Sequence, residues 1–160
     1  MKVLLLSALV VLLAGCSGYD YTNVSPEQSE VGMVVDVPGA DKDVLYDRAA
    51  VWIASTFVSA NDVVQNKNKE AGRIMGRGVA TIYITSGMTQ VPYSYRYSIR
   101  IDVKDNKARI KFADYRDVQY RTEPKYGYLA TPLIAKMNVL AADFELSMKA
   151  EKEATADAGW

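Results

Sequence analysis

The side chains able to do chemistry in this chain recur at alternate positions. Arg73, Arg77 and Tyr83 share one parity of a run from Gly72 to Thr85, and Arg96 and Arg100 share one parity of a run from Tyr93 to Lys104. Arg109, Lys111 and Tyr115 share one parity of the run that follows Asn106. A period of two places each set on one face of a strand. Together they make a locally basic face with Asp102 as its main opposing charge, and guanidinium groups suit carboxylate and phosphate partners. This face is the expected binding surface for something anionic: an acidic protein, lipid headgroup phosphates, or cell-wall carboxylates. Catalysis is not expected. The chain has no His, which removes Ser/His/Asp and Cys/His devices and the imidazole ligands of the usual zinc sites. Asp114 and Asp117 suit acid/base work or a cation in principle, but charges near a strand end are ordinarily solvated. Gly76-Arg77-Gly78 is no phosphate loop, because it lies inside a strand pattern and no helix follows; glycine there lets a bent strand pass close to a neighbour, or marks a bulge. No cofactor or metal is implied. An alternative binding surface, for a small molecule or glycan, is the loop 119–130 with Tyr120, Tyr126 and Tyr128, unless those tyrosines pack the hairpin end.

Positioning the basic face falls to a hairpin from Tyr93 to Val118. Tyr93, Tyr95, Tyr97, Ile99, Ile101 and Val103 alternate with Ser94, Arg96, Ser98, Arg100, Asp102 and Lys104. Ala108, Ile110 and Phe112 alternate with Arg109, Lys111 and Ala113, and Asp105-Asn106 accepts the positive φ values of a tight turn. That register sets Val103 opposite Ala108 and Asp102 opposite Arg109. It also sets Arg100 opposite Lys111, an unfavourable pair unless something anionic lies between them.

Further elements flank the hairpin. Val31, Met33, Val35 and Val37 alternate before Pro38-Gly39, and a helix follows with Asp41 as N-cap and a stripe of Leu45, Ala49, Trp52, Ile53 and Phe57 to about Ser59. A short strand near Asp62 to Gln65 leads to a polar turn at Asn66 to Lys69. In the Gly72–Thr85 strand Ile74, Gly76, Gly78, Ala80, Ile82 and Ile84 share the inward face. A last helix, about Pro132 to Glu151, carries Leu133, Ile134, Met137, Leu140, Ala141, Phe144 and Met148 at helical spacing. The expected fold is α+β: an antiparallel sheet in the order β-α-β-β-β-β-α, with both helices on one face.

The N-terminus supplies an address. Lys2, an apolar run from Val3 to Leu13 and small residues before Cys16 describe a secretory signal too short to span a bilayer. Leu13-Ala14-Gly15-Cys16 resembles the bacterial lipoprotein lipobox. That resemblance implies cleavage before Cys16, a diacylglyceryl thioether on its sulfur and acylation of the new amino group; Ser17 after it implies sorting to the outer membrane. Several acyl chains hold a protein to a membrane far more firmly than one myristoyl group. The expected organisation is a signal peptide over 1–15, a lipidated tether over 16–30, one domain over 31–151 and a frayed tail over 152–160. The tether is rich in Ser, Gly, Asn, Gln, Tyr and Pro, with reach enough to hold the domain clear of lipid headgroups, at most about 46 Å. Of 160 residues 49% are hydrophobic and 24% charged, and 19 Lys plus Arg balance 19 Asp plus Glu. Such a near-neutral chain is poorly suited to nonspecific nucleic-acid binding.

Val37-Pro38-Gly39, Leu45-Tyr46-Asp47-Arg48-Ala49, Trp52, Glu70-Ala71-Gly72-Arg73-Ile74 with Gly76 and Gly78, and Val103-Lys104-Asp105-Asn106-Lys107 resemble an exported bacterial domain of unknown function with a TATA-binding-protein-like fold. The resemblance covers about Val31 to Val118 and brings no catalytic or binding residue with it. It implies a single unit, where the DNA-binding namesake of the fold uses a duplicated one.

Overall fold

The computed structural model describes residues 18–57 and 63–150. The expected signal peptide over 1–15, Cys16 and the expected tail over 152–160 lie outside these. Five antiparallel strands run β1 (Val31–Asp36), β2 (Val64–Asn68), β3 (Arg73–Ser86), β4 (Thr89–Lys104) and β5 (Lys107–Asp117), ordered β1-β5-β4-β3-β2 across the sheet. A short helix α1 (Pro26–Ser29) precedes β1, α2 (Lys42–Thr56) follows it, and α3 (Gly127–Lys149) closes the described chain. The central hairpin has the register expected, with Val103 opposite Ala108, Asp102 opposite Arg109 and Arg100 opposite Lys111. Its turn residue Asn106 takes φ 63.

Both long helices cover one face of the sheet. Tyr95, Tyr97, Ile99, Ile101 and Val103 from β4 are buried beneath them with Ile110 and Phe112 from β5. Trp52 of α2 is 2% exposed. Its ring meets Phe57 and Phe144 edge to face, and its Nε1 donates to Asp143 on α3 at 2.8 Å. Gly76 and Gly78 are small because neighbours come close: a Cβ at Gly76 would lie 2.7 Å from the Val63 carbonyl oxygen, and one at Gly78 would lie 2.5 Å from the Tyr97 ring. Gly78 therefore makes room for a core tyrosine and Gly76 for the neighbouring backbone at Val63.

Five local expectations are corrected. The β2 strand runs through Asn66–Asn68 and the turn falls at 69–72, because pairing with Met75, Ile74 and Arg73 extends the ladder through these polar residues. The first long helix ends at Thr56, with Phe57 as its C-cap. Asp41 occupies the N-cap position of α2 but its side chain caps nothing; Asp105, from the hairpin turn, accepts the Lys42 N–H at 2.8 Å instead. The last helix begins at Gly127, so Pro132 lies inside it and the last four residues of the expected loop 119–130 are helical. Residues 18–30 are not a free tether. Ser25 and Gln28 form a reciprocal capping box around α1, Asn23 bridges to Tyr126, and the Gly127 and Tyr128 N–H groups donate to the carbonyls of Thr22 and Asp20.

Candidate functional site

The parity of β5 breaks in the middle. Arg96 pairs with Arg116 and Ser98 with Ala113, so Asp114 and Tyr115 together oppose Tyr97 alone. This is a β-bulge, with Asp114 held at φ 56. One extra residue exchanges the two faces of everything after it. Tyr115, expected on the basic face, is buried instead at 2% exposure; its hydroxyl donates to the Phe112 carbonyl and its ring lies beside Tyr97. Arg116 takes the outward position. The adjacent apolar residues Phe112-Ala113, followed by an Asp that tolerates left-handed backbone, were the signal in the sequence for this switch.

The open face therefore bends into a groove of about 740 Å³, which contains four of the expected residues, Arg77, Arg96, Arg100 and Lys111. Arg116 and Arg121 join them, with Glu30, Asp114 and Asp117 as acidic members. Arg121 was missed because its position depends on a turn. Asp117, nearly buried, accepts the N–H groups of Gln119 and Tyr120 at 2.8 and 2.7 Å, and its carbonyl accepts the Arg121 N–H. Asp114 accepts the Ser98 hydroxyl at 2.6 Å, so each carboxylate of the expected pair has its own local partner. Arg73 and Arg109 lie outside the groove lining. Tyr83 shares their face of the sheet but is six residues along β3 from Arg77, roughly 20 Å.

Asp102 is the electrostatic hub beside the groove. It accepts from Arg73 Nε at 2.8 Å, from Arg100 Nε at 2.8 Å and Nη2 at 3.2 Å, and from Arg109 Nη2 at 2.7 Å. Partial burial alone would raise its pKa, but the hydrogen bonds from Arg100, Arg109 and Arg73 outweigh it and hold the carboxyl well below the usual carboxylate range. Lys111 is paired with Glu30 at 2.7 Å, and Arg116 with Glu123. Arg77, Arg96 and Arg121 form no ion pair among the described residues. Among the residues that line the groove, two like-charge pairs face each other across β4 and β5, Arg100 with Lys111 and Arg96 with Arg116. Asp102, Glu30 and Glu123 relieve three of these four cations and leave Arg96 unrelieved. Beneath the groove, burial pushes the Tyr97 phenol up to about 12, so it is neutral at pH 7. The groove gathers six cationic side chains, of which Arg77, Arg96 and Arg121 have no ion-pair partner among the described residues.

The tyrosines of the alternative surface are engaged elsewhere. Tyr126 and Tyr128 stack at 5.9 Å, Tyr21 packs edge-on to both, and Tyr19 lies 5.2 Å from Tyr128. Sequence reasoning could not supply Tyr19 and Tyr21 as partners from so far along the chain. Tyr120 remains 68% exposed.

Residues 33–117, more than half the chain, match the model of a domain of unknown function (DUF4468) with TBP-like fold. The chain belongs to the DUF4468 family. Two solved structures share the fold. A DUF4468 family protein from Bacteroides ovatus is 13% identical, covers 84% of this chain and 95% of its own length, and superposes with a TM-score of 0.66. A TBP-like protein from Parabacteroides distasonis is also 13% identical, covers 77% of this chain and 94% of its own, and has a TM-score of 0.61. No curated protein matches the sequence. The DUF4468 span includes the bulge and Arg116, whereas Glu30 and Arg121 lie outside it.

Proposed function

We propose that this DUF4468 protein is a non-catalytic interaction module of the cell envelope, lipid-anchored through Cys16 at the periplasmic face of the outer membrane, whose groove binds an oxyanion-bearing partner. The observation that carries the binding reading is the unrelieved positive charge of the groove: Arg77, Arg96 and Arg121 lack ion pairs among the described residues, and Arg96 stands directly opposite Arg116. Like charges directly opposite on a sheet destabilise it, and an anion lying between them converts that cost into affinity. The lipobox resemblance supports the anchor. No helix among the described residues is long and apolar enough to cross a membrane. The near-neutral total charge argues against nucleic acid as the partner.

The test is the double variant Arg77→Glu, Arg96→Glu in the full chain. Both side chains are exposed, so stability stays within about 0.5 kcal/mol per site. Crosslinking in intact cells identifies partners. Direct binding to phosphatidylglycerol vesicles, polyglutamate and cell-wall fragments bearing free carboxylates then distinguishes an envelope lipid, an acidic protein and the wall. Binding to one of these should fall about tenfold or more in the variant and weaken in high salt. Unchanged binding to all three, with unchanged melting, refutes the groove as the binding surface.

A further inference from the structure

The β3–β4 hairpin is built unlike the rest of the molecule. No residue between Arg77 and Arg96 is charged, in a chain that is 24% charged overall. The outer strands stop short of it: β2 pairs β3 no further than Gly76, and β5 pairs β4 no further than Tyr95. Beyond those points β3 and β4 form a two-stranded ribbon ending at Gly87-Met88. It exposes Val79, Tyr83 and Val91, with Met88 fully exposed at its tip. The base of the ribbon is packed, with Ala80 and Ile82 buried, but the neutral apolar side chains toward its end do nothing for solubility.

The N-terminal segment ends beside this ribbon. The Tyr19 hydroxyl donates to the Thr85 carbonyl at 2.5 Å, and Tyr19 with Tyr21, Tyr126 and Tyr128 forms an aromatic cluster at the same end of the sheet. Lys136 Nζ bonds the Thr81 carbonyl nearby. Cys16 is three residues before Tyr19, which is at most about 11 Å of chain. An acylated Cys16 therefore leaves this end of the domain almost no clearance from the lipid surface.

We propose that the β3–β4 hairpin is a membrane-seating element. Its tip around Met88 rests at the headgroup and acyl boundary of the leaflet that carries the anchor, with the tyrosine cluster at headgroup level. This rests on the Cys16 anchor of the proposed function and is independent of what the groove binds. Tyrosine suits that depth because its ring is apolar and its hydroxyl polar. The unpaired ribbon edges limit the tip to the interface, since bare backbone N–H and C=O groups are costly in hydrocarbon. Seating also orients the domain: the opposite hairpin, at Asp105-Asn106, points away from the lipid.

The test uses the single cysteine of the chain. In the mature acylated protein the Cys16 sulfur is a thioether, so Met88→Cys supplies the only thiol for an environment-sensitive fluorophore, and Lys104→Cys, exposed on the opposite hairpin, is the control. Both are reconstituted in vesicles of phosphatidylethanolamine and phosphatidylglycerol. The expected result is no labelling of wild type, a blue-shifted probe at position 88 quenched several-fold by spin-labelled lipid, and a water-like, unquenched probe at 104. Labelling of wild type at Cys16 overturns the anchor and the seating together. An anchored protein with equally water-like probes at 88 and 104 overturns the seating alone. Shielding at 88 that grows with protein concentration and ignores spin-labelled lipid assigns the hairpin to a second copy of the chain, and likewise overturns it.

Discussion

Asp102→Asn keeps the shape of the hub and removes its charge, so Arg73, Arg100 and Arg109 would crowd around a neutral amide. The three arginine side chains are 43%, 42% and 53% exposed, which holds each pair to the surface range of about 0.2–1 kcal/mol. Asp102 itself is only 21% exposed, so solvent screens it less, and each of the three pairs falls in the upper half of that range, at about 0.7 kcal/mol. The loss is then about 2 kcal/mol. At about 3–5 °C per kcal/mol for a domain of this size, Tm falls by roughly 6–10 °C. Salt narrows the gap, because the screening length shrinks from about 10 Å at 0.1 M to about 3 Å at 1 M. The pH dependence has a definite sign. A carboxyl held below its usual range contributes its stability in full above the unfolded pKa of about 3.9 and loses it as pH falls through the folded value, so wild type and variant converge only in strong acid. Thermal unfolding followed by circular dichroism, at both salt levels and down the pH range, reads all three effects. Removing an acid from beside the groove should also strengthen anion binding at low salt. A Tm change below about 1 °C at low salt and neutral pH would refute the hub. Weakened anion binding would refute the electrostatic reading of the groove.

Trp52→Ala should cost about 3–5 kcal/mol, because a large ring leaves the α2–α3 contact. Trp52→Phe, which loses the bond to Asp143, should cost only about 1 kcal/mol; a denaturant midpoint showing less than about 1 kcal/mol for the alanine variant would mean the helix face is wrong. Asp114→Val puts a β-branched residue at φ 56 and should cost about 1–2 kcal/mol, while Asp114→Gly should stay within about 0.5 kcal/mol, the relief of left-handed backbone offsetting the lost Ser98 bond. Equal stability of the two variants would exclude the bulge. Cys16→Ser should abolish labelling by a fatty-acid analogue and leave the protein uncut or soluble, so labelling and membrane retention at wild-type levels would sink the lipoprotein reading.

Period-two alternation was enough to determine the central hairpin. Tyr93 to Val103 and Ala108 to Phe112 have one apolar and one charged face each, and Asp105-Asn106 can form only a tight turn between them, so register and inward face were legible without coordinates. The stripes of α2 and α3 were legible for the same reason at helical spacing. Tertiary structure decided the rest of the groove: parity put Arg77, Arg96, Arg100 and Lys111 there, but only the folded chain adds Arg116 and Arg121. Whether Tyr115 or Arg116 faces outward depends on one extra residue at Asp114; the local Phe112-Ala113-Asp114 pattern permits a bulge there, but how the whole strand packs selects it. Capping of α2 by Asp105, the Trp52–Asp143 bond and the seat of Tyr19 on Thr85 join residues far apart in the chain. No periodicity records such partners, because periodicity reports which way a side chain points and not what it meets there.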